Sequence, residues 1–253
     1  MMLAGPIGRY VMDLIENLLE EVEGKKALDI GCGHGYYTSK LLQLGYAVDA
    51  IDISPENIDI TKRRLKETTN SSNVNLHNID LFEFDTKEKY DVIICLEVLE
   101  HLEKDVKALE LMNAWLKDDG TLIISVPHRE DLWNFRDEMS GHLRRYSKDE
   151  MKKKLDMANF KVKKMLCYGF PFVRFFLGLY LPIEKRYVNM RNKSTVEKSK
   201  NSGKKLTVRI FTWGINNMKK MSTILRYLLK FDTLFINTDR GFGLIVLAEK
   251  KNP

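Results

Sequence analysis

The chain has 253 residues, of which 44% are hydrophobic and 30% charged, a composition that suits a folded enzyme with a sizeable core and excludes a disordered chain. Its three cysteines, an odd number without metal-ligand spacing, argue against a disulfide scaffold and for reduced thiols. No signal peptide is visible and no apolar run reaches the roughly 20 residues of a membrane span, so we expect a cytoplasmic protein.

The net charge of +6 is unevenly distributed along the chain. Residues 1–139 hold 15 Lys and Arg against 27 Asp and Glu, whereas residues 140–253 hold 26 against 8. The basic half could face nucleic acid, anionic lipid or a phosphorylated substrate. Charge alone does not choose among these partners.

The first element predicted with a functional signal is a buried strand, Ala27–Ile30, that runs into a glycine-rich turn. The turn has three glycines at alternate positions: Gly31, Gly33 and Gly35. Glycines let the backbone approach a ligand closely, where a Cβ would collide. A second strand, Tyr46–Ile51, ends in Asp52, about twenty residues further on, where a carboxylate would accept hydrogen bonds from ribose hydroxyls. The pattern predicts a nucleotide-type cofactor at these strand ends.

Five further strands follow. The third ends before Asp80 and the fourth, in YDVIICLEVLEHL, runs into Glu97. The last three are predicted at Asp118–Pro127, Phe160–Tyr168 and Gly241–Lys250. A helix before the sixth strand begins at the N-cap Ser147, with Glu150 completing a capping box.

These ordered motifs resemble those of the class I S-adenosylmethionine-dependent methyltransferases, over roughly Ala27–Phe160 and again over Gly241–Lys250. A dinucleotide dehydrogenase would usually show G-x-G-x-x-G, and here the third glycine arrives one residue early. The resemblance implies an α/β fold with a Rossmann-like, doubly wound, seven-stranded sheet whose last strand is antiparallel. It also implies S-adenosyl-L-methionine as the cofactor.

The resemblance assigns roles at the cofactor site. Residues of the glycine turn would surround the methionine part of the cofactor. Asp52 would bind the ribose hydroxyls and Asp80 the adenine amino group. Ile53 would pack on the adenine, and Leu81 would donate its backbone N–H to the ring. The fourth strand would open toward the sulfonium and the substrate. The implied cofactor-binding residues are Asp29, Gly31, Cys32, Gly33, Gly35, Asp52, Ile53, Asp80, Leu81, Leu96 and Glu97.

A second group of polar residues follows the fourth strand. In EVLEHL the spacing places Glu97, Glu100 and His101 on one side of a helical turn, and side chains of these types could hold a divalent ion. The segment is similar to one in the small-RNA 3′-end 2′-O-methyltransferases and the ubiquinone-pathway O-methyltransferases. The RNA enzymes have a further histidine after the fifth strand, here matched by His142, and their ion grips adjacent ribose hydroxyls. The resemblance therefore implies a magnesium or manganese site at Glu97, Glu100, His101 and His142.

Alternatives remain open at this site. His101 can orient the strand end with no metal bound. His128, in SVPHRED, is a rival fourth ligand or a general base with a pKa suited to neutral pH. The candidate catalytic residues are thus His101, His142 and His128. We also expect Arg144, Arg145 and Tyr146 to face the substrate mouth.

The domain prediction is a methyltransferase domain, residues 1–168 plus 241–253, with residues 169–240 inserted as a helical lid that recognises the substrate. The insertion opens with an aromatic stretch and continues through the Lys- and Ser-rich segment Asn189–Lys205 to a basic amphipathic helix, Leu206–Leu229. A second interpretation is a peripheral membrane contact that serves a lipid-linked acceptor. A third interpretation, RNA binding, depends on the same basic residues, and the sequence contains no recognised RNA-binding module.

The sequence thus predicts a methyltransferase that O-methylates a small-molecule or a lipid- or glycan-linked hydroxyl, with a divalent metal as a candidate helper. The alternatives are an RNA ribose 2′-O-methyltransferase and a regulatory protein that binds S-adenosylmethionine without catalysis. The oligomeric state is not fixed by the sequence.

Overall fold

The computed structural model describes residues 6–68, 73–175, 178, 181–182, 184–186 and 231–251. Within them the strands are β1 (Lys26–Ile30), β2 (Ala47–Asp52), β3 (Val74–Asn78), β4 (Tyr90–Leu96), β5 (Leu116–Pro127), β6 (Phe160–Tyr168) and β7 (Gly243–Lys250). The α-helices are α1 (Pro6–Leu19), α2 (Tyr36–Gln43), α3 (Pro55–Thr68), α4 (Asp105–Trp115), α5 (Phe135–Ser140) and α6 (Lys148–Met157).

The strands form one seven-stranded sheet in the order β3-β2-β1-β4-β5-β7-β6. Strands β1 to β5 pair in parallel, and β7 runs antiparallel to both β5 and β6. Parallel strands need crossover connections, which here run through helices on both faces of the sheet. The predicted fold is confirmed, including the antiparallel last strand.

Two apolar layers bury the sheet. Helices α1, α2 and α3 pack on one face, contributing residues such as Ile15, Leu41 and Ile58. Helices α4 and α6 pack on the other, with residues such as Leu109 and Leu155. The central strands are therefore buried on both sides, which explains their nearly continuous apolar sequences.

This topology collects the functional residues at one edge. The carboxyl ends of the parallel strands meet there, and β7 begins at the same edge because it runs the opposite way. In sheets of this kind ligands bind outside the carboxyl ends of the strands. The glycine turn after β1 and the Glu-x-x-Glu-His segment after β4 both lie at this edge.

The described ends of the insertion contact each other at the same edge. Oδ1 of Asp232 accepts a hydrogen bond from the backbone N–H of Phe172 at 3.1 Å, and Cys167 N–H donates to the Ile236 carbonyl at 2.7 Å. Arg136 of α5 forms an ion pair with Glu184 at 2.6 Å. The predicted segment Asn189–Lys205 and the predicted helix Leu206–Leu229 lie outside the described residues, so the lid remains a prediction. Among the residues described, no helix combines the length and the apolar character that crossing a membrane requires.

Candidate active site

The glycine turn joins β1 to α2, and its three glycines have φ angles of 69°, 54° and 71°, in the left-handed region. A Cβ at Gly31 would overlap the Val98 side chain, and one at Gly35 would lie 2.6 Å from Cγ2 of Thr61. At Gly33 the nearest atom would be 3.9 Å away. The expectation that all three glycines make room for a ligand is therefore corrected. Gly31 and Gly35 make room for the protein's own side chains, and Gly33 leaves the open space beside the turn.

Two carboxylates hold this turn. Asp29 is buried at the end of β1, its Oδ2 accepts a hydrogen bond from Thr38 Oγ1 at 2.6 Å, and burial raises its pKa to about 7. Asp52, at the end of β2, accepts from the backbone N–H groups of Gly33 and Ser54, each at 2.8 Å. The buried Cys32 donates its backbone N–H to β2 as well. The first two strand ends and the turn between them therefore form one hydrogen-bonded unit.

The residues expected to bind adenine lie beside this unit. Ile53 follows β2 with 68% of its surface exposed, which is unusual for an isoleucine at the end of a buried strand. Asp80 accepts a hydrogen bond from Phe82 N–H at 2.7 Å in the turn after β3, and Leu81 is buried. An exposed apolar side chain at this edge suits a flat aromatic ligand.

The end of β4 has a strained backbone. Glu97 adopts φ 56°, which costs a non-glycine residue about 1–2 kcal/mol. Its N–H donates to the Ser125 carbonyl and its Oε1 accepts from Ser125 Oγ at 2.7 Å. Burial raises the pKa of Glu97 despite that hydrogen bond. Leu96 precedes it, half-buried, so both residues lie at the edge where the resemblance places them.

Glu100, His101 and His142 converge, with one ligand atom from each lying within 4.8 Å of the others. Glu100 is completely buried, and among the described residues neither of its carboxylate oxygens has a hydrogen-bond partner, although Oε1 lies 3.9 Å from Nε2 of His142. Burial, together with the charge of Glu97, raises its pKa well above the usual value. Buried carboxylates are normally hydrogen-bonded. A carboxylate without a hydrogen bond beside two imidazoles is a position that suits a cation.

Both imidazoles are oriented by acceptors on the side away from Glu100. His101 Nδ1 lies 3.2 Å from the Gly141 carbonyl, and His142 Nδ1 lies 2.9 Å from Oδ1 of Asp137. Because an N–H at Nδ1 satisfies these acceptors, Nε2 of each ring keeps its lone pair. Burial lowers the pKa of His101, which favours the neutral form that binds metals. Glu97, the fourth residue of the predicted ligand set, lies outside this cluster and is bonded to Ser125.

Asp137 was not anticipated from the sequence. It accepts two hydrogen bonds from the buried Arg145, each 2.9 Å long, besides the one from His142. Although burial opposes ionisation, the Arg145 guanidinium holds the pKa of Asp137 below its usual value. Asn134 and Asp137 also form the capping box that begins α5. The sequence signal at Asp137 is an Asn-x-x-Asp pattern. This pattern indicates the start of a helix and does not indicate a partner for His142.

The other expected residues lie elsewhere. His128 is buried with both ring nitrogens engaged, Nδ1 at 2.7 Å from the Tyr146 carbonyl and Nε2 at 2.9 Å from Asp239 Oδ1, so the structure does not bring it to the Glu100 cluster. The expectation that Arg144, Arg145 and Tyr146 face the substrate is wrong. Arg145 and Tyr146 are buried, and Arg144 and Tyr146 both bond to Asp105 at the start of α4.

The sheet order, the antiparallel β7 and the glycine turn together define the class I methyltransferase architecture. A family model described as a methyltransferase domain matches residues 5–164. The chain belongs to this family of S-adenosylmethionine-dependent methyltransferases.

Among curated proteins, the chain is similar to the ubiquinone biosynthesis O-methyltransferase of Actinobacillus pleuropneumoniae serotype 5b (strain L20). The two are 31% identical over 122 residues, which is 47% of this chain and 52% of that protein. The chain spans about half the length of the curated relatives it matches.

Solved structures show the same fold. The N-methyltransferase NodS from Bradyrhizobium japonicum WM9, in complex with S-adenosyl-L-homocysteine, superposes with a TM-score of 0.52 at 22% identity, over 65% of this chain and 81% of that one. Magnesium protoporphyrin IX methyltransferase from Synechocystis PCC 6803, also with S-adenosyl-L-homocysteine bound, superposes with a TM-score of 0.53 at 22% identity, over 62% of this chain and 74% of that one. At this identity the likeness concerns the fold alone.

Proposed function

We propose that this methyltransferase transfers a methyl group to one of two adjacent hydroxyls on its acceptor, with a divalent ion held by Glu100, His101 and His142. One observation carries the proposal. A fully buried carboxylate, without a hydrogen-bond partner among the residues that the structure describes, lies beside two imidazoles whose Nδ1 atoms are engaged elsewhere. Three ligand atoms of the right chemistry thus lie within 4.8 Å of one another.

The cofactor site fits S-adenosylmethionine. The open space at Gly33, the exposed Ile53 and the carboxylates Asp29 and Asp52 are of the types and in the places that its methionine, adenine and ribose parts require. When bound, the cofactor supplies a methyl group that is already electrophilic. The protein's tasks are then to orient the hydroxyl and to favour loss of its proton.

The metal-ligand set fits a divalent transition ion. Two imidazoles with one carboxylate favour manganese or iron over magnesium, which prefers oxygen ligands and several waters. Such an ion would lower the pKa of a bound hydroxyl and fix its position. Glu97 lies beside this cluster on β4, and the strain at its backbone is of the kind that marks functional positions.

Hydroxyl methylation also agrees with the curated relatives, which are named as O-methyltransferases. Because the match covers about half of those proteins, the acceptor is not transferred with it. The proposal therefore names only the class of acceptor, a small molecule or a lipid-linked molecule. It also includes a peripheral membrane contact through residues 169–240.

The test is calorimetric binding of S-adenosylhomocysteine to chelator-treated protein, followed by titration with manganese. We expect cofactor binding without metal, stoichiometric manganese binding, and loss of manganese binding in His142→Ala with cofactor affinity retained. His77→Ala is the matched control, because His77 lies on the edge strand β3 and near Asp49 rather than Glu100. Manganese binding that survives His142→Ala would overturn the metal site.

Methyl transfer is then measured with catechol, phenol and an RNA oligonucleotide with a free 3′-terminal ribose. Catechol should be methylated in the presence of manganese and phenol should not, because phenol offers a single oxygen. Turnover of the oligonucleotide alone would favour the RNA alternative. Cofactor binding without turnover of any acceptor would favour the regulatory one.

A further inference from the structure

Tyr168, the last residue of β6, extends across the neighbouring strand. A Cβ at Gly243 would overlap the Tyr168 ring, so only the absence of a side chain on β7 lets the ring lie there. The backbones are paired at the same place, with Phe242 N–H donating to the Tyr168 carbonyl at 2.7 Å. The Tyr168 hydroxyl would also overlap a Cβ at Gly243, so it lies over Gly243 on β7, the strand between β6 and β5.

The Tyr168 hydroxyl lies close to the end of β4. Gly243, beneath it, pairs with Pro127 of β5, two residues beyond Ser125, whose carbonyl and hydroxyl both bond to Glu97. Burial, with the charges of Glu97 and Glu100, raises the pKa of Tyr168 well above its usual value, so the phenol keeps its proton. Tyr168 is 5% exposed, and a phenol hydroxyl with so little access to water is stabilised by a hydrogen-bond partner.

The strand order separates Tyr168 from the residues expected to bind the cofactor. The glycine turn and Asp52 belong to β1 and β2, whereas β6 lies at the opposite end of the sheet, with β4, β5 and β7 between it and β1. Tyr168 therefore belongs to the end of the sheet away from the glycine turn.

We infer that the Tyr168 hydroxyl donates a hydrogen bond to an oxygen of the methyl acceptor and so helps select acceptors that carry one next to the methylated hydroxyl. The inference rests on the proposed function and adds to it an acceptor-binding residue from β6. Gly243 is required for this position of Tyr168, because any side chain at residue 243 would displace the Tyr168 ring.

The experiment compares Tyr168→Phe with the wild type, using 4-nitrocatechol as the probe in the presence of manganese and S-adenosylhomocysteine. The absorption of this catechol changes when its hydroxyls ionise, so binding can be titrated without turnover. Loss of one hydrogen bond should weaken probe binding about tenfold, and should lower kcat/KM for catechol by a similar factor. The affinity for S-adenosylhomocysteine should not change, and the ring that packs on Gly243 is retained.

Tyr90→Phe is the matched control. Tyr90 is equally buried at the start of β4, far from the site edge, and its hydroxyl donates to Asp49 Oδ2 at 2.7 Å. Loss of the Tyr90 hydroxyl should lower the melting temperature of the protein and leave 4-nitrocatechol binding unchanged.

The outcomes separate this inference from the proposed function. If the wild type binds and methylates the catechols and Tyr168→Phe does so equally well, Tyr168 is a packing residue and the inference is overturned alone. If the wild type neither binds 4-nitrocatechol nor methylates catechol, the proposed acceptor class fails and the inference fails with it.

Discussion

His142 Nδ1 lies 2.9 Å from Oδ1 of Asp137, and the same carboxylate accepts two hydrogen bonds from Arg145. The chain of contacts runs from a buried guanidinium through a buried carboxylate to the imidazole. A carboxylate on the outer nitrogen fixes the tautomer and raises the basicity of a metal-binding histidine.

Asp137→Asn should weaken manganese binding about tenfold to a hundredfold, because the neutral amide no longer fixes the His142 tautomer. It should also destabilise the fold by about 3 kcal/mol, since Arg145 is left buried without its counter-ion. Urea unfolding and manganese titration measure the two effects. The control is Asp131→Asn, which removes an exposed partner of Arg129 and should leave stability and manganese binding near their wild-type values. Unchanged manganese affinity in Asp137→Asn would mean that other contacts orient His142.

Two alanine substitutions in the glycine turn should differ in their effects on cofactor binding and on stability. At Gly33 a Cβ meets open space, so Gly33→Ala should cost only the roughly 1–2 kcal/mol of its left-handed backbone while weakening S-adenosylhomocysteine binding at least tenfold. At Gly35 the same change brings a methyl within 2.8 Å of Thr61 Oγ1, so the melting temperature should fall further than in Gly33→Ala. Calorimetric binding and thermal melts of both variants check this. Wild-type cofactor affinity in Gly33→Ala would show that the open space is not the cofactor site.

Asp29 should make the protein less stable as the pH rises through its pKa. Burial raises that pKa from 3.8 to about 7, so the folded protein binds the proton more tightly than the unfolded chain does. The stabilisation is complete below about pH 4 and is lost as the pH rises through 7. Asp29→Asn removes the ionisation, so between pH 5 and 7.5 the variant should gain about 2.5 kcal/mol relative to the wild type.

Urea unfolding at the two pH values measures this change. Asp59→Asn, at an exposed position on α3, should show no such change. A pH-independent difference between Asp29→Asn and the wild type would contradict the raised pKa.

Glu97→Gly should stabilise the protein by about 1 kcal/mol while abolishing methyl transfer. Glycine adopts φ 56° without strain, and the change removes a buried carboxyl. We expect the activity to be lost because the change removes the Glu97 carboxyl from the sheet edge next to the Glu100 cluster. Thermal melts and methylation of catechol provide the two readouts. Asn159→Gly, at φ 61° in the turn after α6, is the control and should leave activity intact. An active Glu97→Gly would remove Glu97 from the site.

The sheet could be predicted from the sequence because its signals are local. The alternation over Phe160–Tyr168 predicts β6 with the bounds that the structure shows. Ser147 also caps α6 as expected, accepting a hydrogen bond from Glu150 N–H at 3.1 Å, but among the described contacts the Glu150 side chain does not complete the predicted capping box. Each of these signals depends on residues that are neighbours in the chain.

The burial of Arg145 could not be predicted in this way. Its Arg-Arg-Tyr context resembles a solvated loop, and its partner Asp137 is eight residues away on a separate helix. Tyr168 and Gly243 are further apart still, and only the strand order places the ring over the glycine. Such contacts join residues that are distant in the sequence, so no local sequence pattern predicts them.

The pairing of Tyr168 with Gly243 has a consequence for how this enzyme can change. The chain leaves β6 at Tyr168 and enters β7 at Gly243, and these two residues are paired. The segment between them can therefore become longer, become shorter or be replaced without altering the register of β6 and β7. Grafting residues 169–242 onto a related methyltransferase should therefore move acceptor preference while leaving the cofactor half untouched.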